Sequence, residues 1–306
     1  MKSIIKIANN NPRLLRFDYL LTRDCTYRCR YCPESLHSGI NQTINLTELK
    51  KFFSQFLDRD LLLNITGGEC TIHPQFVDVV SLAKQMNIIV SADTNSVRTA
   101  RFYADAAGLV DVWNVTLHPS QHLLDLTKIT VLAEKSLVIV YVMMDPDHWA
   151  KSIDWWQQVC QLENIKAIPL QIINNWGGAV CTVDYTEEQH RFLESTPSYV
   201  SLTKEKLATV RADIINIDST VTYADNTTEI LDPYQLIKNN LNNFTGWKCS
   251  AGNEIMNIDD QGAVTLANCG IKRFKHYTDV QLEPTFICDR SSCTCTADIR
   301  ATKCIN

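Results

Sequence analysis

Three cysteines in one short loop, Cys25, Cys29 and Cys32, have the residue type and the spacing to hold a metal centre. Their C-x3-C-x2-C pattern follows the apolar run 17–21, which reads as a strand that delivers them to one point. Thiolates are soft donors suited to iron–sulfur clusters or zinc. A four-iron cluster held by only three thiolates keeps one iron without a protein ligand, and that position is free to take a small molecule. The same loop also suits a structural zinc site in which His37 adds a fourth ligand.

A second motif bears on that choice. The strand-length run 61–66 leads straight into Gly67, Gly68 and Glu69, and paired glycines at a strand end let backbone groups approach a ligand closely. With Tyr31 just before the last cysteine of the loop, the two motifs together resemble the radical S-adenosylmethionine (radical SAM) enzymes. The resemblance implies a 4Fe-4S cluster on Cys25, Cys29 and Cys32, with S-adenosylmethionine chelated to the open iron and cleaved by one electron to a 5'-deoxyadenosyl radical. It also implies an electron donor such as flavodoxin or ferredoxin. By the same resemblance, Gly67, Gly68 and Glu69 approach the methionine moiety, and Tyr31, Asp93, Asn95, Thr116, His118 and Met143 are further candidates for holding the cofactor. The chain departs from the family in lacking the glycine-rich pattern some members carry on the fifth strand. Cys70 stands where relatives often have proline, and it reads either as a hydrogen-atom donor to a substrate radical or as a small packed residue.

The elements that must position these residues alternate. Strand-like runs at 17–21, 61–66, 88–93, 112–117, 137–143 and 167–172 are separated by helical patterns at 47–57, 74–85, 97–107, 123–134 and 149–162. Six strands with intervening helices predict an α/β fold, a partial (β/α)6 TIM-like barrel. The period of two puts Trp113, Val115 and Leu117 on one face and Asn114, Thr116 and His118 on the other. Polar inward faces suit an open barrel with a wet cavity, whose mouth at the carboxyl ends of the strands would carry Glu69, Asp93, Asn95, His118 and Asp145. Each has a plainer reading: His118 hydrogen-bonded inside the barrel, Asp93 and Asn95 as helix caps, and Met143 with Met144 as packing. Cys160 and Cys181 read as structural.

Six further cysteines crowd the end of the chain: Cys249, Cys269, Cys288, Cys293, Cys295 and Cys304. Two short apolar runs around Asp259, Asp260, Gln261 and Gly262 read as a hairpin with Cys249 and Cys269 at its feet. This small cysteine-rich α+β extension resembles the SPASM and twitch domains of radical SAM enzymes, and the smaller twitch type with one auxiliary 4Fe-4S cluster fits six cysteines. Four ligands would come from Cys249, Cys269, Cys288, Cys293 and Cys295, with one spare; a four-cysteine zinc site is the alternative. The implied organisation is a radical SAM barrel at 1–175, a connecting region at 176–246 that shapes the substrate pocket, and an auxiliary-cluster module at 247–306.

The balance of charge, −5 over 306 residues, offers no basic face for nucleic acid. The longest apolar run, 137–144, is far too short for a membrane span, and no secretory signal is present. Cysteines grouped at metal-ligand spacing fit a reducing, cytoplasmic setting better than a disulfide framework. Hydrogen abstraction from an unactivated C–H bond is the expected chemistry, on a peptide that is oxidised, crosslinked or epimerised, or on a small polar metabolite such as a sugar or aminocyclitol. The 24 residues before Cys25 are too few for a leader-peptide recognition domain, so a peptide substrate would call for a separate recognition protein. The rival class is a non-catalytic iron–sulfur or zinc protein, which needs no cofactor pocket beside its cysteines.

Overall fold

The computed structural model describes residues 3–11, 13–37, 39, 41–121, 123–172, 183–203 and 219–305. In chain order the strands and main helices are β1 (Ile4–Ala8), β2 (Leu14–Thr22), α1 (Leu46–Ser54), β3 (Asp60–Gly67), α2 (Phe76–Gln85), β4 (Ile89–Thr94), α3 (Ala100–Ala106), β5 (Val112–Leu117), α4 (Leu126–Lys135), β6 (Leu137–Met143), α5 (Trp149–Val159) and β7 (Ile165–Leu170). There follow α6 (Glu187–Ser195), β8 (Tyr199–Val200), β9 (Ser219–Tyr223), β10 (Thr228–Leu231), β11 (Lys248–Cys249), β12 (Ile255–Ile258), β13 (Val264–Leu266), β14 (Lys272–Phe274), β15 (Phe286–Ile287) and β16 (Lys303–Cys304). Two compact units are formed, one from Met1–Tyr19, Asn45–Leu63 and Arg211–Asn306, the other from Leu20–Ile44 and Asn64–Val210.

The second unit is the expected parallel α/β layer. β4, β5, β6 and β7 pair in parallel, through Ser91 with Val112, Val112 with Leu137 and Val138 with Ile165, and β8 closes the edge antiparallel to β7. Parallel neighbours require a crossover between them, and α3, α4 and α5 supply it. On β5 the alternation is as read from the sequence: Trp113, Val115 and Leu117 are fully buried while Asn114 and Thr116 are half-buried. Asn114 Nδ2 donates to Asp93 Oδ1 (2.8 Å) and to Ser91 Oγ (3.0 Å), so the polar face of β4 and β5 is a connected ladder.

Local chemistry moves several element ends away from the sequence expectation. Helix α3 starts at Ala100, because Thr99 Oγ1 accepts from Phe102 N (3.3 Å), and Asn95 and Asp93 are not its caps. Helix α4 starts at Leu126, where Asp125 accepts from Thr127 N (3.2 Å). Asn164, at φ 58°, turns the chain into β7 at Ile165, two residues earlier than expected. β9 and β10 form a hairpin, turned at Asn226 with φ 62°. Cys181 and parts of the expected connecting region lie outside the described residues.

The first unit holds a six-stranded sheet in the order β10-β9-β1-β16-β11-β15. Beside it, β12 runs parallel to the start of β2, from Ile255 with Arg16 to Ile258 with Tyr19, and β13 and β14 add on antiparallel. The expected hairpin is present as β12 and β13, with Gly262 at φ 78° donating from N to Asp259 O (2.9 Å). Phe17 of β2 packs on Phe52 and Phe53 of α1 at ring distances of 5.4 and 5.2 Å, and Ile7, Val221, Leu236, Phe244, Cys288 and Ile299 make a further core.

Candidate functional site

The two glycines at the end of β3, Gly67 within it and Gly68 just after it, are needed for packing against the chain that carries the cysteine loop. A Cβ on Gly67, whose φ is +151°, would meet Thr22 O at 2.3 Å, and one on Gly68 would meet Asp24 O at 2.2 Å and Leu36 O at 2.8 Å. That closeness allows Gly68 N to donate to Thr22 O (2.9 Å) and Glu69 N to donate to Asp24 O (2.8 Å). The end of β3 and the entry to Cys25 are thereby one hydrogen-bonded piece.

Glu69 is buried, and its carboxylate meets four protein donors. Oε1 accepts from Thr71 N (3.2 Å), from Thr71 Oγ1 and from Thr94 Oγ1 (2.8 Å), and Oε2 accepts from Asn95 N (2.6 Å). Burial pushes this carboxyl above its ordinary range, and the hydrogen bonds from Thr71, Asn95 and Thr94 pull the other way. Through these bonds Glu69 braces β3 against the end of β4. Cys70 is fully buried and donates from Sγ to Asp93 O (3.0 Å), the geometry of a packed residue.

The cysteine loop collects the ends of the next three strands. From the end of β4, Asn95 Nδ2 points at Cys25 Sγ (3.6 Å), and Tyr27 N donates to the same sulfur (3.4 Å). From the end of β5, His118 Nδ1 lies 2.7 Å from Tyr31 OH and 3.5 Å from Cys29 Sγ, and its ring stacks on Tyr31 with an interplanar angle of 19°. From the end of β6, Met143 is buried in one apolar cluster with Cys29 and Tyr31. Thr116 is half-buried on the polar face of β5.

One pair of site residues escaped the sequence reading. Arg30, inside the cysteine motif, donates from Nη2 to Asp145 Oδ1 (3.0 Å) and pairs through Nη1 with Asp147 (2.9 Å), and Asp145 is wholly buried. Asp145 was expected at the mouth, but the partner it finds 115 residues away follows no periodicity. Arg28 also holds the loop, donating from Nη1 to Cys25 O (2.6 Å).

The donor set fits a thiolate-bound cluster. Burial first, and the neighbouring thiols after it, push Cys29 up to about 12 and Cys32 up to about 11, and burial raises Cys25 as well. A metal that replaces the protons of these buried thiols gains a site otherwise costly to charge. N–H groups aimed at Cys25 Sγ are the contacts that tune cluster sulfurs. His37 lies beside Arg28 and the Tyr27 backbone with Nδ1 buried and unbonded. Among the described residues no three His, Cys, Asp or Glu side chains are spaced for a single metal ion; a four-iron cluster is a larger body, with its ligands spread around it.

In the other unit, the terminal cysteines gather around β11. Cys249 lies opposite Phe286 and Lys303 in the sheet, and Cys288 extends the same ladder by donating from N to Trp247 O (2.8 Å). Cys304 is opposite Lys248 and Lys6, on the other face from Cys249 by the strand alternation. Burial pushes Cys269 and Cys293 up to about 12, with further raising by Asp298 and by neighbouring thiols, Cys249 among them in both cases. Burial and Asp298 push Cys295 up to about 11. Cys269 is fixed by its N–H to Asp298 Oδ2 (2.7 Å) and Cys293 by its N–H to Asn242 O (2.9 Å).

Comparison with known proteins agrees with this geometry. Residues 19–137 match the family described as the Radical SAM superfamily. A GTP 3',8-cyclase of Shewanella denitrificans is 32% identical over 94 residues, which is 28% of this chain and 28% of that protein's own length. Among solved structures, Streptococcus suis SuiB bound to S-adenosylmethionine aligns over 88% of this chain and 63% of its own, with TM-score 0.53 and 10% identity. A protein called anSMEcpe, solved with AdoMet and the Cp18Cys peptide, aligns over 87% of this chain and 78% of its own, with TM-score 0.50 and 14% identity. At such identities the structural likeness speaks for the fold.

Proposed function

We propose that this chain is a radical SAM enzyme that modifies a peptide by removing hydrogen from an unactivated C–H bond. The observation that carries the reading is the convergence of four strand ends on one cysteine loop: Gly68 and Glu69 after β3, Asn95 after β4, His118 after β5 and Asp145 after β6. An electron carrier or a zinc staple needs no such gathering. When bound, a 4Fe-4S cluster with S-adenosylmethionine on its open iron supplies the 5'-deoxyadenosyl radical that this chemistry requires.

The chain's own residues have separable tasks in this reading. Cys25, Cys29 and Cys32 would hold three irons, and Asn95 and the Tyr27 amide would stabilise the Cys25 thiolate. Tyr31 and His118 would orient each other beside Cys29. Glu69 fixes the relative positions of the β3 and β4 ends, and the Arg30–Asp145 pair ties the loop to β6. The polar face of Ser91, Asp93, Asn114 and Thr116 is the wall a polar cofactor or substrate would meet. Support for a peptide comes from anSMEcpe, a protein of similar fold solved with one.

The proposal extends to a second cluster on the terminal cysteines, within a module at 247–306 that follows a 1–175 barrel and a 176–246 connector, and to reduction by a flavodoxin- or ferredoxin-type donor in the cytoplasm. Among the described residues no helix is long and apolar enough to cross a membrane. Anaerobic reconstitution tests the whole reading: about eight irons per chain are expected for two cubanes, with 5'-deoxyadenosine released on reduction. Replacing Cys25, Cys29 and Cys32 by Ala should abolish that release; persistent cleavage would refute the assignment.

A further inference from the structure

Lys303 is a cation in an improbable place. It is 2% exposed, and among the described residues it forms no ion pair. Its Nζ donates to Asp298 O (2.6 Å) and Ile299 O (3.0 Å) at the end of the helix Thr296–Arg300, and lies 4.7 Å from the centre of the Phe244 ring. The nearby Asp298 carboxylate is itself buried and is occupied elsewhere. Its Oδ1 accepts from Asn268 N (2.9 Å) and Nδ2 (3.1 Å), and its Oδ2 accepts from Cys269 N (2.7 Å). Carbonyl dipoles and an aromatic face lower the cost of a buried ammonium, but they do not cancel its charge.

Apart from the Asp298 carboxylate, whose charged form Lys303 favours, the groups able to offset it are sulfurs. Lys303 and Cys249 are direct partners across the antiparallel ladder of β11 and β16, which puts their side chains on one face of the sheet. Thiolates bound to iron would carry a net negative charge that a buried cation offsets.

We propose that Lys303 is the built-in counter-charge of a metal–thiolate centre on the terminal cysteines, a positioning residue whose ammonium, held across from Cys249, sets the reduction potential of that centre. This rests on the reading of those cysteines as iron–sulfur ligands. A positive charge nearby favours the more negative, reduced state of a cluster, so it raises the potential.

The test uses the full chain with Cys25, Cys29 and Cys32 replaced by Ala, so that iron reports the terminal centre alone, and follows its midpoint potential by EPR-monitored redox titration. Lys303→Met and Lys303→Gln should move the potential to more negative values, and Lys303→Arg should leave it near that of the parent. Loss of iron in the Met and Gln variants with retention in the Arg variant also supports the charge role. Unchanged potentials in iron-loaded Met and Gln variants would overturn it, as would loss of iron from all three, which would make Lys303 a packing residue. A parent triple variant that binds no iron would refute the terminal cluster itself, and the inference would go with it.

Discussion

Asn95 reaches across 70 residues of sequence to place its side-chain amide on the Cys25 sulfur, while its backbone N–H is held by Glu69 Oε2 and its own Oδ1 accepts from Val97 N at 3.1 Å. The amide has little freedom to turn away. The link between a strand end and the Cys25 sulfur, a proposed cluster ligand, is therefore rigid, and its electrical effect can be isolated by mutation. Replacing Asn95 by Leu removes a donor to sulfur, and the first cluster should become harder to reduce. Redox titration should give a more negative midpoint potential with iron content retained; an unmoved potential in the loaded variant would end this account of Asn95.

Glu69 is the second point of leverage. Glu69→Ala leaves the buried donors of Thr71, Thr94 and Asn95 without an acceptor, a loss of at least about 2 kcal/mol. Glu69→Gln keeps one oxygen for Thr71 and Thr94 but turns an NH2 toward Asn95 N, and should fall between the parent and the Ala variant. Denaturant unfolding measures both. An Ala variant within about 0.5 kcal/mol of the parent, the range of an ordinary surface change, would show that the bracing role is wrong.

Gly68 tests the coupling of β3 to the cysteine loop. Its missing Cβ is bounded by backbone atoms of Asp24 and Leu36, which cannot rotate aside as a side chain can. Gly68→Ala should cost about 1–3 kcal/mol by overpacking and should lower iron at the Cys25 loop, with the terminal cysteines unaffected. Iron counting together with a thermal melt reads both effects.

A pH dependence follows from His73. It is buried, its Nε2 lies 3.1 Å from Gln42 O, and its Nδ1 accepts from Gln75 N at 3.1 Å, so the fold demands the neutral ring with its proton on Nε2. Burial lowers its pKa below the ordinary 6.5. The folded state thus takes up the proton less readily than the unfolded chain does. The stability tied to the neutral ring is present above 6.5 and is lost as pH falls below it. His73→Gln, which preserves one donor and one acceptor, should show a smaller drop in melting temperature between about pH 7 and about pH 5.5. Identical drops in the two proteins would remove His73 as a source of acid sensitivity.

The sequence carried the strands because they depend on a local signal, runs of Leu, Ile and Val. What it carried poorly were the partners. Gly67 and Gly68 read as room for a ligand, whereas the space beside them is filled by the backbone of Thr22, Asp24 and Leu36. His118 was open between a barrel interior and a cofactor contact, and its ring lies on Tyr31 beside Cys29. Arg30 and Lys303 left no signal, since a charge inside a cysteine motif and one next to a terminal cysteine look like solvated residues until the chain has folded. Helix starts depended on single capping side chains, Thr99 and Asp125, which hydrophobic periodicity does not register.

The two middle strands of the six-stranded sheet, β1 and β16, lie at opposite ends of the sequence, with Lys6 beside Cys304 and Ile305 N donating to Ile5 O at 3.0 Å. A ribosome must therefore release the sheet's centre in two instalments, the first emerging hundreds of residues before its mate. Until Lys303 and Cys304 leave the exit tunnel, β1 presents an unpaired edge. A rearranged gene that encodes β16 directly before β1 would make the two strands a hairpin and turn the slowest pairing in that sheet into one of its fastest.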